Sequence, residues 1–206
     1  MWFTSVEDSS STGRMSAVVK ALREKNVLDK SNISDPSKGI LQSDTGEIVM
    51  DTSKGGEMFV TTQRLEAAAV KRDREVKLGA MTIKSCNVPA SVAMVSLDSS
   101  KSLKDSSKLL LIFATDARNS NMKFTDSTEE YLISIGNSPI VVMTGKLEIA
   151  LERSDAKAMK AYALKFNGER ADEIPVGLEN GKLTLSLDTA RLEKAGPVPF
   201  FEIVKD

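Results

Sequence analysis

The 206-residue sequence contains no histidine, one cysteine and only three residues that are Trp or Tyr. Histidine is the side chain whose ordinary pKa lies nearest neutral pH, and it is the commonest metal ligand in proteins. Its absence excludes Ser-His-Asp and Cys-His nucleophile systems, zinc sites built on histidine and the HExxH metalloprotease helix. Any catalysis by this chain would therefore rest on carboxylates, lysine or tyrosine.

The charge balance argues against some kinds of binding partner, whereas the single cysteine does not indicate a cellular compartment. Cys86 has no second cysteine with which to form an internal disulfide or a CxxC motif. The 28 Lys and Arg residues almost balance the 29 Asp and Glu residues. A chain so balanced has no broad positive field to attract nucleic acid or an anionic membrane, so we expect neither as a partner.

Long apolar runs are also lacking. No segment approaches the roughly 18 consecutive apolar residues of a membrane-spanning helix. Residues 1–14 have neither the basic start nor the apolar run of a secretory signal, so we expect no signal peptide in this sequence. The length suits one large domain, or one domain with an appendage.

One stretch near the N-terminus has the spacing of an amphipathic helix. Its apolar residues recur at i, i+3, i+4 and i+7: Met15, Val18, Val19 and Leu22. They predict a helix over about residues 13–26, capped by Ser11 or Thr12, whose apolar stripe packs on the main domain. With the Ser-, Asn- and Pro-rich connector that follows, this gives an N-terminal segment over residues 1–39.

Residues 40–206 consist of short apolar runs separated by turn residues, which predicts a mostly β domain. We expect an antiparallel two-sheet β-sandwich of jelly-roll or immunoglobulin-like type, because no long helix intervenes to make parallel crossovers. Asn180-Gly181 predicts a tight hairpin. The segment 65–76 fits either a helix or a strand. The predicted strands cover residues 40–43, 47–51, 57–62, 65–71, 80–85, 91–98, 109–115, 140–144, 146–152, 158–166, 182–187 and 200–204.

Several acidic motifs have both a chemical and a purely structural interpretation. Asp44-Thr45-Gly46 matches an aspartic protease turn, but it is also an ordinary hairpin sequence, which we favour. Three carboxylate pairs could in principle serve glycoside cleavage, although solvated surface charges explain them better: Glu47 with Asp51, Glu129 with Glu130, and Glu148 with Glu152. A weaker expectation is a calcium site, to which four aspartates could give oxygen ligands: Asp98, Asp105, Asp116 and Asp126. Asn32-Ile33-Ser34 fits a glycosylation acceptor.

Sugar-binding modules stack exposed aromatic rings on the faces of pyranose rings, and here few rings are available. Tyr131 and Tyr162 are the only tyrosines, and they are our candidate carbohydrate-binding residues. The phenylalanines mostly fall in strand-like runs and are predicted to lie in the core. We assign no catalytic residue.

From Ser43 onward, short motifs occur in the same order as in a known type of accessory domain. Thr62-Gln63-Arg64 stands where that family tends to have Thr-Pro-Arg, and Phe200-Phe201-Glu202-Ile203 resembles its closing Trp-Tyr-Glu-Ile. The other motifs are Ser43-Asp44-Thr45-Gly46-Glu47-Ile48, Asp51, Gly55-Gly56, Phe59-Val60-Thr61, Ala93-Met94-Val95-Ser96-Leu97-Asp98, Ser107-Lys108-Leu109-Leu110-Leu111, Asn119-Ser120-Asn121-Met122 (for Asn-Thr-Gly-Met), and Gly136, Pro139, Ile140 and Val141. Residues 40–206 thus resemble the β-sandwich domain that follows the catalytic TIM barrel in a group of bacterial glycoside hydrolases.

The resemblance implies a non-catalytic ancillary domain that supports a catalytic barrel or contacts a polysaccharide, in an extracellular or periplasmic enzyme of carbohydrate metabolism. It assigns no catalytic residue and no cofactor to these positions. Three alternatives stay open: a stand-alone carbohydrate-binding module, a hydrolase that uses carboxylates only, and a structural or interaction module that supports a neighbour.

Overall fold

The structure, a computed structural model, describes residues 9–53, 56–153 and 155–205. The chain divides into two compact units, Met1–Thr62 and Gln63–Asp206. About half of it, 48%, is strand and 12% is helical, so the prediction of a mostly β protein with one α-helix is confirmed.

The first unit holds the helix and a three-stranded antiparallel meander. Its elements are α1 (Ser9–Glu24), a 3-10 turn (Pro36–Lys38), β1 (Ile40–Gln42), β2 (Ile48–Asp51) and β3 (Glu57–Thr61). The hairpin between β1 and β2 contains Asp44-Thr45-Gly46, and Gly46 has a φ of 78°, a backbone angle that favours glycine. The predicted hairpin turn is therefore confirmed.

The helix differs from the predicted one in its start and in its packing. In the described residues it spans Ser9–Glu24, so Ser11 and Thr12 lie inside the helix and are not its cap. Of its apolar stripe, Val19 and Leu22 are half-buried, whereas Met15 and Val18 are exposed. The expected burial of the stripe is thus only partial.

The connector after α1 is tied down by polar contacts. The Arg23 guanidinium donates hydrogen bonds to the carbonyl oxygens of Asn32 and Ser34, at 2.9 and 2.7 Å. The buried Asn32 side chain donates to the Ser43 carbonyl oxygen at 2.9 Å and accepts from the Ser34 N–H at 3.0 Å. Because its amide is buried and bonded, Asn32 serves the fold and is a poor glycosylation acceptor.

The second unit contains two larger antiparallel sheets and two ribbons of two strands each. One sheet has the strand order β4-β7-β8-β18-β14-β15, and the other has the order β16-β17-β13-β6-β5. The ribbons pair β10 with β11 and β12 with β9. The strands are β4 (Leu65–Val70), β5 (Val76–Lys77), β6 (Met81–Cys86), β7 (Ala90–Ser96), β8 (Lys108–Ala114), β9 (Ala117–Ser120), β10 (Lys123–Phe124), β11 (Leu132–Ser134), β12 (Asn137–Val142), β13 (Lys146–Glu152), β14 (Met159–Leu164), β15 (Arg170–Ile174), β16 (Val176–Glu179), β17 (Lys182–Asp188) and β18 (Phe200–Lys205), with 3-10 turns at Ala156–Ala158 and Thr189–Arg191.

Each of the two larger sheets buries one row of side chains that its sequence alternation predicts. In the first sheet the register places Met94 beside Leu111 and Leu111 beside Phe201, all of them fully buried. In the second sheet Ile149 lies between Ile83 and Leu185. These rows form the core of the unit.

A buried carboxylate connects the two sheets. Glu66 of β4 is 2% exposed and lies beside Met94 in the register of the first sheet. One of its carboxylate oxygens accepts from the Ala80 N–H at 2.6 Å, and the other accepts from the Met81 N–H at 2.7 Å, at the start of β6. Glu66 therefore satisfies two backbone donors of the second sheet from a position in the first.

Three further sequence predictions can be compared with the structure. Of the ambiguous segment 65–76, Leu65–Val70 forms the strand β4, and Asn180-Gly181 forms the hairpin between β16 and β17 with φ values of 51° and 76°. Phe166 was expected in the core, but it is 73% exposed in the turn between β14 and β15 and makes an edge-on contact with Phe200. That expectation was wrong because a turn offers the ring no second layer to pack against.

Candidate interaction surface

The connection from β8 to β13 is the least buried part of the second unit. It spans residues 115–144, contains β9, β10, β11 and β12, and joins the first large sheet to the second. We call it the β-arm. Not one of its residues is buried.

The ends of the β-arm are held together at its base. The Thr115 hydroxyl donates to the Met143 carbonyl oxygen at 2.5 Å, and the Met143 N–H donates to the Asp116 carbonyl oxygen at 2.8 Å. From there β9 and β12 run antiparallel, with Ala117 opposite Val142 and Asn119 opposite Ile140. The arm therefore leaves and re-enters the unit at one place.

Polar contacts fix the backbone farther along the arm. The Asn119 amide donates to the Ile135 carbonyl oxygen at 3.0 Å, and the Ser120 hydroxyl donates to the Pro139 carbonyl oxygen at 2.7 Å. Gly136 has a φ of 73°, and a Cβ atom there would lie 2.2 Å from the Ser120 carbonyl oxygen. No side chain fits at this position without a shift of the backbone.

Arg118 ties three parts of the arm together. Its guanidinium donates two parallel hydrogen bonds to the Glu129 carboxylate, at 2.5 and 2.6 Å, and a third to Asp116 at 2.5 Å. The guanidinium also lies 5.4 Å from the centre of the Phe124 ring. Hydrogen bonds to Glu129 and then to Asp116 raise the pKa of Arg118, so the group remains a cation.

The outside of this well-tied arm is apolar. Seven large apolar residues, each between 42% and 68% exposed, are Tyr131, Leu132, Ile133, Ile135, Ile140, Val141 and Met143. Consecutive strand residues point to opposite faces, and both Ile140 and Val141 are exposed, as are both Leu132 and Ile133. Both faces of β11 and β12 therefore carry apolar side chains that are in contact with solvent.

The sequence pattern did not reveal this surface. It predicted a strand at residues 140–144 as part of the sandwich, whereas β12 begins at Asn137 and is exposed along its length except at Val142. It did not identify β9, β10 or β11 at all. The signal that could have revealed the arm is the absence of any charged residue from Tyr131 to Gly145, in a chain that is 28% charged.

The two candidate sugar-binding tyrosines lie in different parts of the second unit. Tyr131 is 68% exposed, next to β11 in the arm. Tyr162 is half-buried in β14, where the Arg170 guanidinium lies 4.7 Å from the centre of its ring. One face of the Tyr162 ring is thus already occupied by a cation.

Arg170 belongs to an ion-pair network around a buried carboxylate. Glu202 accepts from Arg170 at 2.5 Å and pairs with Lys108 at 2.9 Å, while its own side chain is 8% exposed. Burial raises the pKa of Glu202, but the hydrogen bonds from Lys108 and Arg170 outweigh it and bring this pKa below 4.5. The carboxylate is therefore held charged within the sheet.

The members of the proposed carboxylate pairs that make side-chain contacts make them with other residues and not with each other. Glu152 accepts from Lys104 at 2.7 Å and from Lys182 at 3.3 Å, and these two contacts, that with Lys104 first, lower its pKa. Glu148, four residues earlier on β13, is exposed. Asp51 accepts from the Ser53 N–H, Glu129 is bound by Arg118, and Asp44 accepts from the Thr45 N–H in an exposed turn.

The four aspartates considered for calcium likewise make local contacts. Asp98 accepts from the N–H and hydroxyl of Ser107 and from the Ser106 hydroxyl, and hydrogen bonds from the Ser107 N–H and then its hydroxyl lower the pKa of Asp98. The other three aspartates each accept a side-chain hydrogen bond: Asp105 from Ser102, Asp116 from Arg118, and Asp126 from Thr128. Within the described residues, no three acidic or cysteine side chains gather as a metal ion would need.

The cysteine is part of the core. Cys86 is fully buried, and its thiol donates to the Val88 carbonyl oxygen at 3.0 Å. Burial raises the pKa of the Cys86 thiol, which keeps it in the unreactive protonated form.

The described chain is therefore a mostly β protein whose β-arm exposes apolar side chains. A comparison with protein-family models, curated proteins and solved structures finds no match to this chain. Among the described helices, none has the length and apolar character needed to cross a bilayer.

Proposed function

We propose that this chain is a non-catalytic β domain that binds a protein partner through the β-arm. The observation that carries the proposal is the group of seven exposed apolar side chains on an element with no buried residue of its own. Together they expose on the order of 800 Å² over the two faces of the arm, and exposed apolar patches of a few hundred Å² often mark interaction sites.

The arm is also built for binding with little loss of entropy. Its backbone is fixed by the contacts of Asn119, Ser120 and Arg118, so its apolar residues are already in place before a partner arrives. Preorganisation of this kind strengthens binding because fewer dihedral angles have to be ordered on association.

The strand edges of the arm give a second mode of contact. Each ribbon consists of two strands, so within the described chain each ribbon has two outer edges to which no further strand is bonded. Such edges offer backbone N–H and C=O groups to an added strand. A β-rich partner could therefore extend a ribbon and cover its apolar side chains at once.

The rest of the second unit would serve as the scaffold. We propose that its two larger sheets pack face to face as a β-sandwich, for which the buried rows and the hydrogen bonds from Glu66 to the second sheet are the support. In such a sandwich the arm is the chain connection from one sheet to the other. This arrangement suits the ancillary role that the resemblance to glycoside hydrolase domains implies.

Site-specific photo-crosslinking in cells tests the proposed function. A photoreactive phenylalanine analogue replaces Ile133 or Ile140 of the arm, and Leu178 of β16, which is 47% exposed, serves as the matched control site. We expect a crosslinked protein adduct from both arm positions and none from position 178. Absence of an adduct from both arm positions would refute the proposal.

A second candidate function, contact with a polysaccharide, is favoured by one observation: the exposed ring of Tyr131. Affinity electrophoresis against a panel of polysaccharides tests it. Retardation that Tyr131→Ala removes would support it, whereas Tyr162→Ala should have the smaller effect because Arg170 covers that ring. Migration unchanged in every polysaccharide would exclude this function.

A further inference from the structure

We infer that the partner of the β-arm is a second copy of this chain, whose own arm pairs with the first about a two-fold axis. The inference rests on the proposed function, since it names the partner of the same surface. Three observations support it: the charges of the arm, its strand edges and its apolar area.

The apolar part of the arm carries no charge that would repel an identical copy. From Tyr131 to Thr144 the sequence contains neither an acidic nor a basic residue. In a two-fold interface the same patch faces itself, so any lone charge near the axis would meet a like charge. Here only apolar and neutral polar groups would face each other.

The charged residues of the arm lie outside this stretch in the chain, although in the ribbons Arg118 is opposite Val141 and Lys123 is opposite Ser134. Arg118 is bonded to both Glu129 and Asp116, and it precedes the uncharged stretch in the chain. A partner of strong charge, such as a nucleic acid or a basic peptide, would find no complementary group between residues 131 and 144. A neutral, apolar surface is the complement that this stretch requires, and the arm of a second copy provides one.

The strand edges of two copies also fit one another. β9 and β12 form an antiparallel ribbon, and antiparallel pairing of one strand with its own copy satisfies two-fold symmetry. Two ribbons joined in this way would bond the outer edge of each, with Ile140 of both copies on one face of the extended sheet and Val141 of both copies on the other.

The apolar area is sufficient for a stable dimer. A standard interface buries about 800 Å² on each partner, which is close to what the seven apolar residues expose. The arm is apolar on both faces, so a flat surface would cover only half of it.

An anionic membrane is the less favoured occupant. The only cations of the arm are Arg118 and Lys123, against the four acids Asp116, Asp126, Glu129 and Glu130. Surface-binding segments combine apolar side chains with an excess of basic residues, and this arm has an excess of acidic ones.

Sedimentation equilibrium of the full chain tests the inference. We expect the mass of two chains at micromolar concentration. The double variant Ile133→Ser/Ile140→Ser should raise the dissociation constant of the dimer by at least about 100-fold, since each substitution is present in both copies and loss of each apolar contact weakens binding roughly tenfold. Leu178→Ser, the matched control, should leave the constant unchanged, and equal far-UV circular dichroism would show that both variants fold.

Three results would overturn the inference. They are a wild-type chain that stays monomeric up to about 100 µM, a double variant that dimerises as tightly as the wild type, and a monomer that sediments with anionic phosphatidylserine vesicles through Ile133 and Ile140. A monomeric chain that still gives crosslinks from position 133 to another protein refutes the second copy and leaves the proposed function standing. A monomeric chain with no crosslink refutes both.

Discussion

Glu66 shows how a single residue can serve two sheets. A carboxylate that is 2% exposed would ordinarily be unfavourable, but here both of its oxygens accept hydrogen bonds from buried backbone N–H groups. Those donors belong to Ala80 and Met81, where β6 begins and no strand partner has yet taken them. An acid in an otherwise apolar row is therefore a structural feature of this fold and no sign of catalysis.

Replacement of Glu66 should be costly. Glu66→Gln turns one of the two acceptors into an amide N–H₂, which would face a backbone donor, and we expect the free energy of unfolding to fall by about 1–3 kcal/mol. Urea denaturation followed by circular dichroism measures the change. Glu148→Gln, on the exposed side of β13, is the control and should be neutral. If the two variants lose the same stability, Glu66 does not link the sheets.

Glu202 should make stability depend on pH. Its pKa in the folded chain lies below the ordinary 4.5, so the charged form is favoured by folding. A group with a lowered folded pKa stabilises the protein above its unfolded pKa, and that contribution is lost as the pH falls through the folded pKa.

Comparison of Glu202→Gln with the wild type isolates this contribution. At neutral pH we expect the variant to lose about 1–3 kcal/mol of unfolding free energy, because Lys108 and Arg170 lose their common partner. The difference should shrink as the pH falls below about 4. Glu173→Gln, an exposed neighbour across the strand from Tyr162, should show no such convergence. A difference that stays constant with pH would contradict the role assigned to Glu202.

At the scale of elements, the sequence predicted strands best where apolar and polar residues alternate. β13 was predicted with the bounds that the structure has, Lys146–Glu152, because its alternating Leu and Ile side chains have a core to enter. β15, with the sequence Arg-Ala-Asp-Glu-Ile, was missed because it is an edge strand bonded only to β14 and stays largely polar. The arm was missed for the opposite reason. Its apolar residues resemble those of a buried strand, and only the three-dimensional structure shows that nothing in the described chain covers them.

The arm depends on a glycine, which gives a prediction with a close control. A Cβ atom at Gly136 would lie 2.2 Å from the Ser120 carbonyl oxygen and 2.6 Å from the Met122 nitrogen, so Gly136→Ala should force the two ribbons apart. Gly168 also has a positive φ, 86°, but nothing lies within 4 Å of its Cβ position.

Limited proteolysis reads out the effect of Gly136→Ala. We expect faster cleavage within residues 117–142, while the urea midpoint of the sheets changes little because the arm buries no residue. Gly168→Ala carries the same backbone strain and should leave the arm as resistant as in the wild type. Equal cleavage of both variants would mean that strain alone, and not the contact with Ser120, governs the arm.

At the scale of the whole molecule, stability and binding are assigned to different parts of the chain. The buried rows, Glu66, Glu202 and Cys86 all lie in the two larger sheets. The exposed apolar residues concentrate in the arm, whose ends meet at Thr115 and Met143. A substitution in the sheets should therefore act on folding, and one on the outer surface of the arm should act on association.

Deletion of the arm tests this division directly. Replacement of residues 117–142 by a short Gly-Ser loop should leave β8 and β13 in their sheets, because both strands are paired on each side by strands outside the arm. The lost segment buries no residue, so we expect the free energy of unfolding of the monomer to change by about 1 kcal/mol or less. Urea denaturation at a protein concentration too low for dimer formation measures this free energy. Sedimentation of the shortened chain at high protein concentration should show the mass of one chain only. A shortened chain that fails to fold would show that the arm belongs to the scaffold, and a shortened chain that still dimerises would place the interface elsewhere.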